Sequence, residues 1–436
     1  MASSKPLPGF RDFYPAEFAE RAYIVNTWRD VARRYAFVEY DGPPLEPLEL
    51  YVEKSGPEIV QQLYNFTDKG GREVALRPEM TPTLARMVAA RANGLKKPIR
   101  WFSIPQLFRC ERQQRGRLRE HFQLNADLIG EPGPLGDAEI IALAVDSVRA
   151  FGLGPTDFRV RLSDRRLLTA LLRGLGLDEA RAAVVYQVLD KLARVPEAVS
   201  VERLSQAGLA SDQIDRVLGL ARVRSWDELA RSASDLGEGL QAGVPLRSTI
   251  AALDAMGLGG YLDLDLGTVR GLAYYTGTVF ELFDARGELR AICGGGRYDN
   301  LLAALGGVDL PALGFGMGDV VLGELLRDRG LAPAAGGTVD VFLAAIGSDD
   351  LPPMLALGHE LREAGLRVEY ALAPQAVGKQ LKLADSRGAR MAIVIGPDDR
   401  ARGEVMLKDL AANTQSGVPR DRVVERVAAL TRGDNG

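Results

Sequence analysis

At 436 residues the chain is too long for one ordinary core, so two or three domains are expected. Its 46% hydrophobic and 26% charged residues are those of a globular protein, and a net charge of −4 argues against a uniformly basic nucleic-acid coat without excluding local basic surfaces. Two cysteines and two histidines exclude a disulfide framework, a cysteine-rich zinc site and a histidine-rich metal centre.

No apolar run is long enough for a transmembrane helix, and the N-terminus lacks the apolar core of a signal peptide, so the cytoplasm is the expected compartment. The segment PGFRDFYP is a turn-rich start. Ala16 to Tyr35 has helical spacing, with Ala19, Tyr23, Trp28, Val31 and Ala32 recurring at three- and four-residue steps. A short strand, FVEY, and a proline-rich run, DGPPLEPLEL, follow, then a short helix near Glu58–Gln62 with Pro57 suited to its first turn. The strand LYNFTD turns through DKGGR into EVALRPE. That strand runs directly into TPTLARMVAARA, read as a helix capped by Thr81 with Pro82 in its first turn. Glu79 and Thr81 thus stand at a strand-to-helix junction, where a carboxylate can receive an ammonium and helix amides favour an anion; a simple cap fits the same residues.

The stretch Leu107–Gly130 crowds Arg109, Arg112, Arg115, Arg117 and Arg119 around a polar turn at Gln113–Gly116. It reads as two antiparallel strands and a loop, with Arg109 and Glu111 sharing one face and Gln123, Asn125 and Asp127 aligned on the return. Guanidinium forks suit phosphates and carboxylates, so the hairpin could hold a polyphosphate beside a small amino compound. A solvated edge hairpin fits the same pattern.

An amphipathic helix over Asp137–Phe151 and a strand, FRVRLSD, precede residues 165–258, whose helical spacing marks an inserted helical subdomain. Strands and glycines then return in LDLGTVRGLAYYTGTVFEL, AICGGGRYDN and PALGFGMGDVVLGELL. The three consecutive glycines allow close approach to a ligand but follow a β-rich run, so neither the Rossmann nor the P-loop fingerprint fits. LAPAAGGT is a linker by composition. Beyond it strands and helices alternate, which predicts a compact α/β domain with a largely parallel sheet. There Lys379, Lys382 and Arg387 suit either a solvated helix or an RNA contact.

Taken together, these segments resemble the class II aminoacyl-tRNA synthetases, and the histidyl-tRNA synthetase family in particular. The early helix with its strand and proline, FRCERQQRGRLREHFQ, and PALGFGMGDVVLGELL correspond to the three class II motifs. VRGLAYYTGTVFE and ICGGGRYDN look like the segments specific to the histidine branch, and LRPEMT, the helical insertion and the C-terminal domain complete the match in order.

The resemblance implies an α+β catalytic domain over residues 1–330, built on an antiparallel class II sheet and carrying the 165–258 insertion. A linker at 331–338 and an α/β anticodon-binding domain over 339–436 would follow. It further implies a homodimer, L-histidine, ATP and histidine tRNA as substrates, Mg²⁺ arriving with ATP, and no protein-built metal cage. By similarity Arg109 and Arg270 are catalytic at the α-phosphate, and Arg109, Glu111 and Arg117 bind ATP. Glu79, Thr81, Gln123, Asp127, Arg270, Tyr274 and Tyr275 would bind histidine, with Gly294, Gly295, Gly296, Arg297 and Tyr298 forming the wall under histidine and adenosine. Val321 stands where the third motif usually carries an ATP-binding arginine, for which Arg115, Arg117 or Arg297 could compensate. Ala273 replaces a common acidic residue, and Gln113 replaces a frequent proline in the acceptor-end loop. A non-catalytic relative, the regulatory subunit of ATP phosphoribosyltransferase, shares the catalytic-domain fold and is the main rival reading.

Overall fold

The computed structural model describes residues 5–55, 57–110, 114, 116–192, 195–268, 274–333 and 339–432. The chain divides into two compact units, Met1–Ala332 and Pro333–Gly436.

In the first unit, helix α1 (Pro15–Arg34) leads to strands β1 (Val38–Glu39) and β2 (Leu45–Pro47), then α2 (Leu48–Ser55), β3 (Asn65–Thr67) and β4 (Glu73–Leu76). After α3 (Thr81–Arg91) come β5 (Ile99–Ser103), β6 (Gln106–Phe108), β7 (Glu120–Ile129), α4 (Pro134–Arg149) and β8 (Phe158–Asp164). Helices α5 to α11 fill Arg165–Ala255, and β9 (Leu262–Leu264), β10 (Thr278–Asp284), β11 (Cys293–Arg297), α12 (Leu301–Gly306), β12 (Ala312–Gly318) and α13 (Asp319–Asp328) follow.

Among the described residues the main sheet has nine strands in the order β1-β5-β7-β12-β11-β10-β8-β9, with β6 paired to β7. Its centre is antiparallel, and only the outer pairs β1–β5 and β8–β9 are parallel. Strands β2, β4 and β3 form a small antiparallel sheet.

Alternation in β7 explains how this sheet has a dry face and a wet one. Leu124, Ala126 and Leu128 are buried in the main core, while Gln123, Asn125 and Asp127 point to the opposite side. The dry face is covered by α4, almost wholly buried, against which α1 packs through Ile24, Trp28, Val31 and Ala32. Each fully buried aliphatic side chain, such as Leu143, contributes roughly 1.5–3 kcal/mol relative to exposure. Proline opens both helices, where its missing N–H costs nothing.

At α3 the structure departs from the expected cap. Met80 is the N-cap and makes no side-chain cap bond, so Thr81 is the first helical residue with Pro82 behind it. The segment IRWFS, absent from the sequence-based expectation, forms strand β5 and pairs with β7 along Ile99–Ser103.

The second unit holds β13 (Val341–Ala345), α14 (Leu351–Glu363), β14 (Val368–Tyr370), α15 (Val377–Ser386), β15 (Met391–Ile395), α16 (Pro397–Ala401), β16 (Glu404–Asp409), β17 (Thr414–Pro419) and α17 (Val423–Arg432). The sheet order is β14-β13-β15-β16-β17, parallel over the first three strands and antiparallel over the last two pairs. The expectation of a largely parallel sheet therefore holds for half of it. No described helix is long and apolar enough to cross a membrane.

Candidate active site

The wet face of the main sheet floors a cleft of about 1380 Å³. Its long axis follows β7. His121 and Asp127 are six residues apart on that strand, so at about 3.3 Å per residue roughly 20 Å separates the two ends. An extended nucleotide and a small amino acid fit end to end over that distance.

At one end lies Asp127, 6% exposed. It accepts a hydrogen bond from the Tyr298 hydroxyl, and Tyr274 stands edge-on to Tyr298 with ring centroids 6.3 Å apart. Tyr275 stacks beside Tyr274 at 4.4 Å. Glycines make room for these groups: a Cβ on Gly314 would meet the Asp127 carboxylate at 2.3 Å, and one on Gly296 would meet the Tyr275 ring at 3.0 Å. Helices α3 and α12 close this end through Leu84, Val88, Leu301 and Leu302.

Burial pushes the Asp127 carboxyl up to about 7, against the opposing pull of the Tyr298 hydrogen bond and the Lys54 charge. An unfolded aspartate titrates at about 3.9. Between those values the folded chain keeps a proton that the unfolded chain has lost, so stability falls as pH rises from about 4 to 7. Above pH 7 the full cost is carried, on the order of 4 kcal/mol at about 1.36 kcal/mol per pKa unit. Asp127→Asn keeps an oxygen acceptor for Tyr298, and its urea midpoint is expected to exceed that of the parent clearly at pH 8 and by less at pH 5. Equal gains at both pH values would show that Asp127 is not the titrating group.

Between the ends, Glu79 holds the ammonium of Lys54, which also lies 4.8 Å from the centroid of the Tyr274 ring. Burial pushes the Glu79 carboxyl up, but the charge and hydrogen bond of Lys54, with Arg109 nearby, leave it below its ordinary value. Nothing in the sequence around Lys54 marks it for this role. Thr81 and Gln123 also line the cleft, and a Cβ on Gly316 would strike the Gln123 side chain at 2.8 Å.

The other end carries Arg109 and Arg117. Arg109 follows β6, its backbone N–H pairs with the Arg119 carbonyl at 2.8 Å, and its Nε donates to the Pro78 carbonyl at 3.1 Å. His121 sits here too. Burial, then the charges of Arg109, Arg11 and Arg117, push it down to about 3, so it presents an uncharged ring. Beneath it, Arg11 bridges Glu120 at 2.6 Å and Asp319 at 2.9 Å, and Asp319 accepts from the Phe122 N–H at 2.9 Å. These contacts fix the start of β7 against α13, and they rest on an arginine in the segment first read only as a turn.

The structure thus brings Glu79, Thr81, Arg109, Arg117, Gln123, Asp127, Tyr274, Tyr275 and Gly294 to one cleft, and Gly296 lies against the Tyr275 ring. Arg270 and Glu111 lie outside the described residues, as do Gln113 and Arg115. Gly295 faces the other way, where a Cβ would meet Phe315 at 2.6 Å and Phe280 at 2.9 Å. Arg297 does not join the wall either. It is fully buried behind the sheet, paired with Asp137 at 2.7 Å and donating to the carbonyls of Glu131 and Gly133. With its donors so committed, it cannot make good the arginine missing at Val321.

Among the described residues no cluster of three or more histidine, cysteine, aspartate or glutamate side chains is arranged to hold a metal ion.

Comparison with known proteins follows the same division of the chain. The histidyl-tRNA synthetase family model matches residues 9–318, and an anticodon-binding-domain model matches residues 340–430. The Histidine--tRNA ligase of Opitutus terrae is 50% identical over 428 residues, 97% of this chain and 98% of that one. The Histidine--tRNA ligase of Haloquadratum walsbyi is 40% identical over 418 residues, 95% of each chain. The crystal structure of histidyl-tRNA synthetase from Nostoc sp. PCC 7120 superposes with a TM-score of 0.87 at 26% identity, over 99% of this chain and 100% of that one. Since the family model spans most of the chain and the Opitutus relative nearly all of it, the chain belongs to the histidyl-tRNA synthetase family.

Proposed function

We propose that this chain ligates L-histidine to its cognate tRNA in two steps, with Mg²⁺ entering as the counterion of ATP. In the first, an oxygen of the histidine carboxylate attacks the α-phosphorus of ATP, the bond to the β-phosphate oxygen breaks, and pyrophosphate leaves. In the second, a hydroxyl at the tRNA 3′ end takes the histidyl group and AMP departs. The observation that carries this reading is the single cleft that places two arginines at one end and a buried aspartate among tyrosines at the other.

The first step joins two anions, so positioning and charge stabilisation account for most of the catalysis. Arg109 holds the α-phosphate, Arg117 reaches the terminal phosphates, and Glu111 orients the nucleotide. Arg270 adds charge at the α-phosphate from a second segment. Glu79, Thr81 and Gln123 receive the amino and carboxylate groups of histidine, for which Lys54 must yield its place on Glu79. Asp127, with Tyr274 and Tyr275, takes the imidazole. An apolar competitor would offer Asp127 no donor beyond the Tyr298 hydroxyl and leave its remaining acceptor positions unpaired in a buried site, which is how such a site rejects it. Gly294 lets the substrate approach the backbone, and Gly296 makes room for the Tyr275 ring.

Residues 339–436 serve the anticodon in this reading, supported by the anticodon-binding-domain match. Pairing of two chains is supported by edge strand β1, where Val38 is 63% exposed. A reducing, cytoplasmic setting is supported by the exposed thiol of Cys110.

Histidine-dependent ATP–pyrophosphate exchange, followed by charging of histidine tRNA, tests the whole reading. Arg270→Ala is expected to lower exchange on the order of 10²–10³-fold with the fold intact. Near-normal exchange in folded Arg270→Ala protein would remove that residue from the mechanism. Absence of exchange in the parent chain, with tight binding to a phosphoribosyltransferase catalytic chain, would favour the regulatory-subunit reading. The ligase names carried by relatives at 50% and 40% identity weigh against it.

A further inference from the structure

The amino end of the cleft already holds a cation. Lys54 lies in the last turn of α2, one turn beyond Tyr51, which is 1% exposed in a small core with Leu63 and Ala75. That anchor turns the lysine inward, and its side chain is 5% exposed. Its ammonium donates to Glu79 Oε2 and lies 4.8 Å from the centroid of the Tyr274 ring. Glu79 therefore meets, within its own chain, the same group that it would take from histidine.

Histidine enters as a zwitterion, with its α-carboxylate carbon two bonds from its ammonium nitrogen. Once Glu79 takes the ammonium, the carboxylate is brought close to a like charge. Thr81 and Gln123 offer it neutral donors only. In the ligase reading Arg109 and Arg270 are taken by the α-phosphate, and Asp127 by the imidazole. The anion left for a displaced Lys54 is the substrate's carboxylate, and pairing the two makes the charges alternate across the site. The shift asked of Lys54 is small. The Tyr274 face attracts the ammonium throughout, and a cavity of about 660 Å³ lined by Lys54, Tyr274 and Tyr275 gives the stem room to turn. One charge-assisted hydrogen bond replaces another, so the lysine is never buried without a partner.

We propose that Lys54 is the counterion of the histidine carboxylate: it releases Glu79 to the substrate's ammonium and closes on the carboxylate, so that the site favours an amino acid over an amine. This rests on the amino-acid reading of that end of the cleft. The test is calorimetric binding of histidine, histidinol and histamine, the last two lacking the carboxylate. The proteins are the full chain and its Lys54→Met, Lys54→Gln and Lys54→Arg variants, each shown to be folded by its thermal midpoint. Glutamine keeps a donor for Glu79 without the charge, and so guards against a loss of stability in Lys54→Met. Both uncharged variants are expected to bind histidine about 10- to 100-fold more weakly, the worth of one charge-assisted hydrogen bond. Histidinol and histamine should bind them at least as tightly as they bind the parent, because Glu79 no longer has a rival cation. Lys54→Arg should keep most of the preference for histidine. In pyrophosphate exchange the KM for histidine should rise in the uncharged variants while that for ATP stays within about twofold. Three ligands weakened alike would make Lys54 a structural support, and three tightened alike would make it a plug on Glu79; either result overturns the proposal. Ligand binding needs no turnover, so a parent chain that binds histidine without exchange activity would refute the ligase reading and leave the three-ligand comparison to decide on Lys54.

Discussion

Arg109→Ala is expected to reduce histidine-dependent pyrophosphate exchange on the order of 10²–10³-fold, about 2.7–4 kcal/mol in the barrier, while the thermal midpoint stays near that of the parent. The size of the effect follows from preorganisation. The guanidinium is held by its Nε at the Pro78 carbonyl, 3.1 Å away, and this bond uses one of five donors and aims the rest into the cleft. Pro78 immediately precedes Glu79, so the phosphate end and the amino end are registered through one peptide unit. Arg109→Lys keeps the charge but loses the fork and the bond to Pro78, and should recover only part of the activity. A loss confined to the KM for histidine, with kcat intact, would place Arg109 in uniform substrate binding and refute the α-phosphate role.

The second large effect concerns stability. Arg297→Ala is expected to cost about 3–5 kcal/mol, because it strands the Asp137 carboxylate in the core without its counterion. Arg297 is 0% exposed and meets Asp137 at 2.7 Å, the Glu131 carbonyl at 2.9 Å, the Gly133 carbonyl at 3.1 Å and Asp299 at 3.2 Å. Urea titration of the single variants and of Arg297→Met with Asp137→Asn gives the comparison. The double variant should be less destabilised than the sum of its parts, since both charges go together. If Arg297→Ala instead keeps the parent midpoint and loses ATP affinity, the residue belongs to the nucleotide site after all.

Arg297 also shows what the sequence offered and how it was misread. CGGGR is a strand that leads straight into Tyr298, so its side chains alternate. Gly296 and Tyr298 look toward the tyrosines and Asp127, and Gly295 and Arg297 look back toward Phe280 and Asp137. Treating the run as one wall ignored that alternation. The hairpin at Leu107–Gly130 was legible for the opposite reason: the alternation of Gln123, Asn125 and Asp127 with Leu124, Ala126 and Leu128 names both faces of β7.

Other features carry no local signal. Lys54 meets Glu79 across 25 residues of sequence, and Arg11 meets Glu120 across 109; nothing in their neighbours points to the partner. Strand β17 is exposed at every position but Val418, so an edge strand without a hydrophobic stripe passed as loop, and with it the antiparallel half of the second sheet.

The bond from the Phe122 N–H to Asp319 spans 197 residues. On a ribosome adding about 5–20 residues per second, roughly 10–40 s pass between the emergence of those two residues. Throughout that interval β7 can pair with β5 and β6, but its other edge, the one β12 will cover, is an open row of backbone donors and acceptors. The helical insertion is synthesised during the wait, so its helices can fold locally while the sheet is still half built. For a nascent chain of this kind, the hazard is strand pairing between neighbours on one polysome, and synonymous codons that slow translation before residue 312 would lengthen it.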